Sequence, residues 1–183
     1  EATDENRLAQ DPRRRRAGAR PRRWRRAKRR AAEEFDKYAL ESVSVELSTR
    51  QAGAHPDLTI GLEINRNGNN PYANTKDIEV RLPAGMAGNP KAAPTCTPEE
   101  LGDGYADSAC PFASQVGTTL IRVIQPVTGV FNEPVYNMTT PKGMVARLGF
   151  IAAGWPAFIN VRLDPEDHTV VSRVEGIPSA SGL

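Results

Sequence analysis

Apolar and polar residues alternate one by one in segment after segment of this chain. Val43, Val45 and Leu47 alternate with Ser42, Ser44, Glu46 and Ser48. Leu58, Ile60, Leu62 and Ile64 alternate with Thr59, Gly61 and Glu63, and Ile78, Val80 and Leu82 with Glu79 and Arg81. A period of two sends successive side chains to opposite sides of an extended backbone, so each segment reads as a strand with one buried and one wet face. Further strands are predicted at 116–124, 134–138, 145–152, 157–163 and 169–175. Turn signals separate them: Asn67-Gly68, Pro83 with Gly85, Asn89-Pro90, Thr128-Gly129, Lys142-Gly143 and Asp164-Pro165. Short strands without a second long helical pattern predict an all-β fold, an Ig-like two-sheet β-sandwich over residues 41–183. The fifteen prolines suit strand ends and edges, where a missing N–H is tolerated. No period of about 20–50 residues repeats, so the chain is not itself a repeat array. A membrane-spanning bundle is excluded, since no run of about 18 apolar residues exists.

The N-terminal part follows different rules. Residues 13–30 hold eleven Arg and one Lys without an acid, whereas residues 31–183 hold eleven basic and eighteen acidic residues. The formal net charge of +2 therefore averages an acidic body and a strongly basic arm. Residues 1–21 are polar and broken by Pro12, Gly18 and Pro21, which predicts a disordered arm. From 22 to 40 the residues are good helix formers, and Trp24, Ala27, Ala31, Phe35 and Tyr38 fall on one helical face. That stretch is expected to be a helix or linker, marginal by itself in water. The basic arm is the strongest non-structural signal. Arg13, Arg14, Arg15, Arg16, Arg20, Arg22, Arg23, Arg25, Arg26, Lys28, Arg29 and Arg30 suit phosphate or another polyanion, and Trp24 can stack on a base. The alternatives are an anionic envelope polymer as partner, or a solvated linker with no partner.

Thr97-Pro98-Glu99-Glu100 carries three helix-start signals: a capping Thr, Pro at the first helical position and a Glu completing a capping box. Gly102 and Gly104 end the helix within about one turn. Cys96 and Cys110 flank it. They lack C-x-x-C spacing, and neither His55 nor His168 is near in sequence. A loop-closing disulfide fits best, with free buried thiols as the alternative, and a disulfide implies an oxidising compartment and export.

Four strings occur in order: STRQAGAHPDL at 48–58, NTKDIEVRLPAGMAGNP at 74–90, APTCTPEELGDGYADSACPFASQVG at 93–117 and PVYNMTTPKGMVARLGF at 134–150. Together they resemble the N-terminal β-domain of large secreted or cell-surface actinobacterial proteins of uncharacterised function. The resemblance covers about 35–183 and implies that Cys96 and Cys110 match the family's paired cysteines and that the chain is exported. It leaves out the basic segment 13–30. The chain also ends at Leu183, where such proteins continue, so a domain cut from, or a shortened relative of, a larger protein is expected. A first residue of Glu fits a processed or excised chain, and no signal peptide is present in it.

Enzyme signatures are missing: no G-x-S-x-G, H-E-x-x-H or P-loop string occurs. No catalysis and no cofactor are expected, although a carboxylate-pair hydrolase needs only two Asp or Glu. Asp164, Glu166, Asp167 and His168 are weak metal candidates and read better as a polar turn. Asn65 to Asn70 faintly resembles a Ca²⁺ loop but lacks carboxylates, so a hairpin turn around Asn67-Gly68 is expected. His55, before Pro56, is read as fixing a loop. Trp155 is read as a buried anchor entering a strand, with ligand stacking as the alternative. Asn137-Met138-Thr139 fits the N-glycosylation acceptor pattern, which one tripeptide does by chance. The expected role is a non-catalytic structural or adhesive module of an extracellular or envelope protein. Its expected partners are other domains of that protein or envelope polymers. Polyanion binding (nucleic acid included) and carbohydrate binding are the alternatives.

Overall fold

A computed structural model of the chain describes residues 37–51, 53–102, 108–123 and 129–177. The predicted arm and most of the predicted helix therefore lie outside the described residues. The chain separates into two compact units, divided between Asn65 and Arg66, so the boundary cuts the stretch expected to be one sandwich.

The first unit contains an antiparallel hairpin of β1 (Leu40–Leu47) and β2 (Leu58–Ile64). Its register pairs Val43 with Leu62, Val45 with Ile60 and Leu47 with Leu58, which gathers the apolar residues on one face. Ser42 pairs with Glu63 and Glu46 with Thr59 on the other face. Lys37 is in a turn and Tyr38 and Ala39 are not helical, so the helical stripe does not extend to Tyr38. Asn65 fixes this entry to β1. Its side chain accepts from Ala39 N at 2.8 Å and donates to the Lys37 carbonyl, while its N–H donates to the Ala39 carbonyl at 3.0 Å.

The second unit is built on a curled antiparallel sheet of six strands. These are β5 (Ile78–Arg81), β6 (Gln115–Val123), β7 (Gly129–Asn137), β8 (Ala146–Ala152), β9 (Trp155–Leu163) and β10 (Val170–Val174). Their spatial order is β5-β10-β9-β8-β7-β6, a meander of neighbours with β5 added beside the last strand. Gly176 N donates to Asp77 Oδ1 at 2.9 Å and Ile177 N to the Lys76 carbonyl at 2.8 Å, holding the start of β5 to the end of β10. The two-residue strands β3 (Arg66–Asn67) and β4 (Asn70–Pro71) make the hairpin expected at Asn67-Gly68, with Gly68 at φ +62°.

All the predicted strands form, with shifted ends. β7 begins at Gly129 rather than 134, because Gly129 to Glu133 continue the pairing with Thr119 to Val123 of β6. β9 begins at Trp155 rather than 157, because Ala153 and Gly154, at φ 50° and 90°, make a two-residue turn between β8 and β9. That turn places Trp155 at a hairpin tip, 48% exposed, which corrects the expectation of a buried anchor.

The predicted short helix α1 (Pro98–Leu101) has its capping box: Thr97 Oγ1 accepts from Glu100 N at 3.2 Å and Glu100 Oε2 from Thr97 N at 2.8 Å. It carries Leu101 onto one face of the sheet, where Leu101, Met138 and Cys96 are wholly buried against Tyr136, Ile151 and Phe158. Gly149 makes this possible. A Cβ there would lie 2.8 Å from Met138 Sδ and 3.1 Å from Leu101 Cδ2. The opposite face, by register, carries Val135, Phe150 and Val161, all buried, with Leu148, Ile159 and Val174 half-buried.

Candidate functional site

Four places bear on function: the disulfide loop, the Asp164 turn, the polar rows on the sheet face that carries α1, and the outer edge formed by β6.

Cys96 and Cys110 are joined in a disulfide with Cα atoms 5.2 Å apart, as expected. Cys96 is also held by its main chain. Its N–H donates to the Asn137 carbonyl at 2.8 Å and its carbonyl accepts from Thr139 N at 2.8 Å, a parallel bridge beside Met138. Cys110 lies five residues before β6. The bond therefore ties the entry of β6 to the end of β7. Asn137, 3% exposed, donates its amide to the carbonyls of Pro90, Ala93 and Pro94 at 2.9, 3.0 and 3.3 Å. Sequence reasoning singled out Asn137 only as a glycan acceptor. Its amide nitrogen is instead the anchor of the loop leading to Cys96, and no local pattern signals a partner more than forty residues away.

The Asp164 cluster forms the expected turn. Asp164 Oδ1 accepts from Glu166 N at 2.9 Å, and Asp164 Oδ2 meets Arg81 Nη2 at 2.8 Å. Asp167 Oδ1 accepts from both the N–H and the hydroxyl of Thr169, at 2.9 and 2.7 Å. His168, at φ 59° and exposed, completes the turn by donating its N–H to the Asp164 carbonyl. Glu166 is also exposed. Among the described residues no three of His, Cys, Asp and Glu are placed to hold a metal ion. Asp164 is held below the usual carboxylate range, first by the Glu166 N–H and then by Arg81, and Asp167 by the Thr169 hydroxyl and N–H.

A depressed carboxylate pKa contributes stability that is present above the unfolded-state value and lost as pH falls through the folded one. Asp164→Asn is accordingly expected to flatten the acid limb of a urea-midpoint profile, starting below the ordinary Asp pKa. An unchanged acid limb would show that the Asp164 pairing adds nothing to folding.

Arg147, Asn160, Arg173 and Glu79 form one row across β8, β9, β10 and β5, with Arg162, Val171 and Arg81 in the next. These arginines are largely matched. Arg81 pairs with Asp164 and Glu79, Arg162 with Glu79, and Arg173 with Glu175. Arg147 donates to Asn160 Oδ1 at 2.9 Å and lies 5.1 Å over the Phe158 ring.

The two sheet edges differ. β5 is four residues long and carries Glu79 and Arg81, with Pro83 just beyond, all devices that discourage pairing. β6 is nine residues long, has no Pro, and carries Arg122 as its one charge. Within it Leu120 is 73% and Val116 about half exposed, and beside it Phe112 is 88% and Val130 about half exposed. Register puts Leu120, Val130 and Pro134 on one face.

The basic residues Arg13 to Arg30 and Trp24 lie outside the described residues. His55 is exposed. No described helix is long and apolar enough to cross a membrane. No family model matches the chain, and neither a curated protein nor a solved structure matches it.

Proposed function

We propose that the chain is a non-catalytic structural or adhesive module of an extracellular or cell-envelope protein, joined to neighbouring modules through the β6 edge. The observation that carries this is the asymmetry of the sheet: one edge is short and carries charges of both signs, the other is long, carries Arg122 alone and bears exposed apolar side chains. Such an edge offers main-chain groups for strand addition, with exposed apolar side chains to pack against those of the added strand. The disulfide supports an oxidising compartment and hence export. The ordered motifs support a place among the N-terminal β-domains of large actinobacterial surface proteins. The finer fold assignment, an Ig-like two-sheet sandwich, belongs to the same proposal. Its support is the face carrying Val135, Phe150 and Val161, apolar along several strands as one layer of a sandwich is.

The test is sedimentation of the full chain over a range of concentrations, with Leu120→Lys as the variant. Association that grows with concentration and is lost in Leu120→Lys, at unchanged thermal stability, is the expected result. A chain that stays monomeric throughout would overturn the edge role.

A second reading, polyanion binding by the arm, rests on the twelve basic residues of 13–30. Binding to heparin or DNA should then fall steeply with salt and vanish when residues 1–30 are deleted. The exposed Trp155 keeps a carbohydrate-stacking role open to a glycan screen with Trp155→Ala.

A further inference from the structure

The polar rows across β8, β9, β10 and β5 hold four arginines, and one of them differs from the rest. Arg81, Arg162 and Arg173 reach Asp164, Glu79 and Glu175 at 2.8, 3.7 and 3.1 Å, so the chain itself supplies each with a carboxylate. Among the described residues Arg147 has no carboxylate within ion-pair distance, which sets four cations against three anions. Arg147 is nonetheless firmly placed. It is half-buried, its Nε–H donates to Asn160 Oδ1 at 2.9 Å, and its guanidinium lies 5.1 Å over the Phe158 ring. These contacts use Nε and one flat face of the guanidinium. They leave the N–H groups of the Nη nitrogens, the end of the fork that matches the two oxygens of a carboxylate. Half-burying a guanidinium without a counter-ion costs free energy that an incoming anion recovers.

We propose that Arg147, with Asn160 beside it, binds the carboxylate of an acidic side chain from a partner protein. Register sets the surroundings. Asn160 lies directly opposite Arg147, with Arg173 beyond it in the same row, and Arg162 follows two residues along β9 on the same face. Asn160 spends its Oδ1 on Arg147, so its amide nitrogen is a further donor at the site. The acids of the chain are engaged elsewhere. Glu79 is taken by Arg81 and Arg162, Glu175 by Arg173, and Glu100 of α1 accepts from Thr97 N. Two observations select the ligand. One negative charge closes the balance, and the chain meets the same need three times over with an Asp or Glu side chain. The ring beside the fork, Phe158, is covered by the guanidinium, so a sugar has no aromatic platform there. The site lies on the face that carries α1 and not on the β6 edge, so it stands whether or not that edge pairs.

The test is an NMR titration of the full chain with N-acetylglutamate amide and with glucuronate, at neutral pH and with ionic strength held constant by chloride. The Nε–H signal of Arg147 and the amide signals of Asn160 are read singly, so binding elsewhere, the basic segment 13–30 included, does not enter. Both signals should shift to saturation with N-acetylglutamate amide. Arg147→Lys should raise the half-saturating concentration about tenfold, read at Asn160, because a point charge replaces the fork. Asn160→Asp places a carboxylate beside Arg147 with almost no change of shape. It should abolish the response of the Arg147 signal while the backbone spectrum of β8, β9 and β10 stays in place. Signals that move no more than in chloride would overturn the proposal, as would a response that survives Asn160→Asp. Glucuronate binding about tenfold tighter than N-acetylglutamate amide would give the site to an acidic sugar and overturn its assignment to a protein side chain.

Discussion

Reducing and alkylating the Cys96–Cys110 disulfide is expected to destabilise the sheet unit by about 3 kcal/mol, the chain-entropy value for a loop of this length. The two cysteines are fourteen apart, so the oxidised unfolded chain loses the freedom of that whole loop. The folded state gives little back, because Cys96 is already fixed by two main-chain hydrogen bonds and is wholly buried beside Leu101 and Met138. Urea denaturation is the measurement. The midpoint should fall on reduction and the slope rise, since the reduced unfolded chain exposes more surface. Hydrogen exchange should show the loss first at the start of β6, which Cys110 ties to the end of β7. Cys96→Ala with Cys110→Ala should cost more than reduction, because it also removes sulfur from the cluster around Met138. A midpoint unmoved by reduction would mean that the loop is already ordered in the unfolded chain or that the bond adds only strain.

Much of the fold was legible because strands with one wet face write their period into the sequence. β1, β2 and β5 alternate cleanly and were placed within two residues of their ends. α1 was legible for a different reason: Thr97, Pro98 and Glu100 satisfy its orphan N–H groups by local bonds, and local bonds depend on local sequence. What was hidden depended on distance along the chain. The addition of β5 beside β10 joins residues nearly a hundred apart and leaves no trace in either segment. The partition at Asn65/Arg66 depends on which strands meet, not on which residues form strands. Trp155 was misplaced because Ala153 is not a usual turn residue. Its left-handed φ of 50° is imposed by the strands that flank it, and a tight turn there moves Trp155 from core to tip.

The candidate sites divide along the same line. The Asp164 turn was readable, since its hydrogen bonds run to residues two to five positions on. Its salt bridge to Arg81, from a strand over eighty residues earlier, was not. Gly149 gave no sign of its role, because the need for a missing Cβ comes from Leu101 and Met138 arriving from elsewhere. The contrast between β5 and β6 could be seen in composition alone, but it gained meaning only once both proved to be edges.

Asn137 is where long-range order concentrates, and Asn137→Asp is expected to be among the most damaging single-atom changes in the unit. The wild-type amide directs its nitrogen at three carbonyl oxygens. A carboxylate in the same place offers no donor, faces three acceptors and sits at 3% exposure. The loss at neutral pH should be about 3–5 kcal/mol, the range for a buried charge left without a partner. Asn137→Ala, which strands the carbonyls without adding a charge, should cost about 1–3 kcal/mol. The two variants also separate by pH. The new Asp would be raised above its unfolded pKa, so its penalty is absent below the unfolded value and grows as pH rises toward the folded one. Stability of Asn137→Asp should therefore fall with rising pH, opposite in sign to the Asp164 contribution, while Asn137→Ala follows the wild-type profile. Urea midpoints across the acid range would show this directly. If the two variants prove equal in cost and parallel in pH, the carbonyl cage around residue 137 does not hold the loop from Pro90 to Pro94, and that loop must be kept in place by the Cys96–Met138 bridge alone.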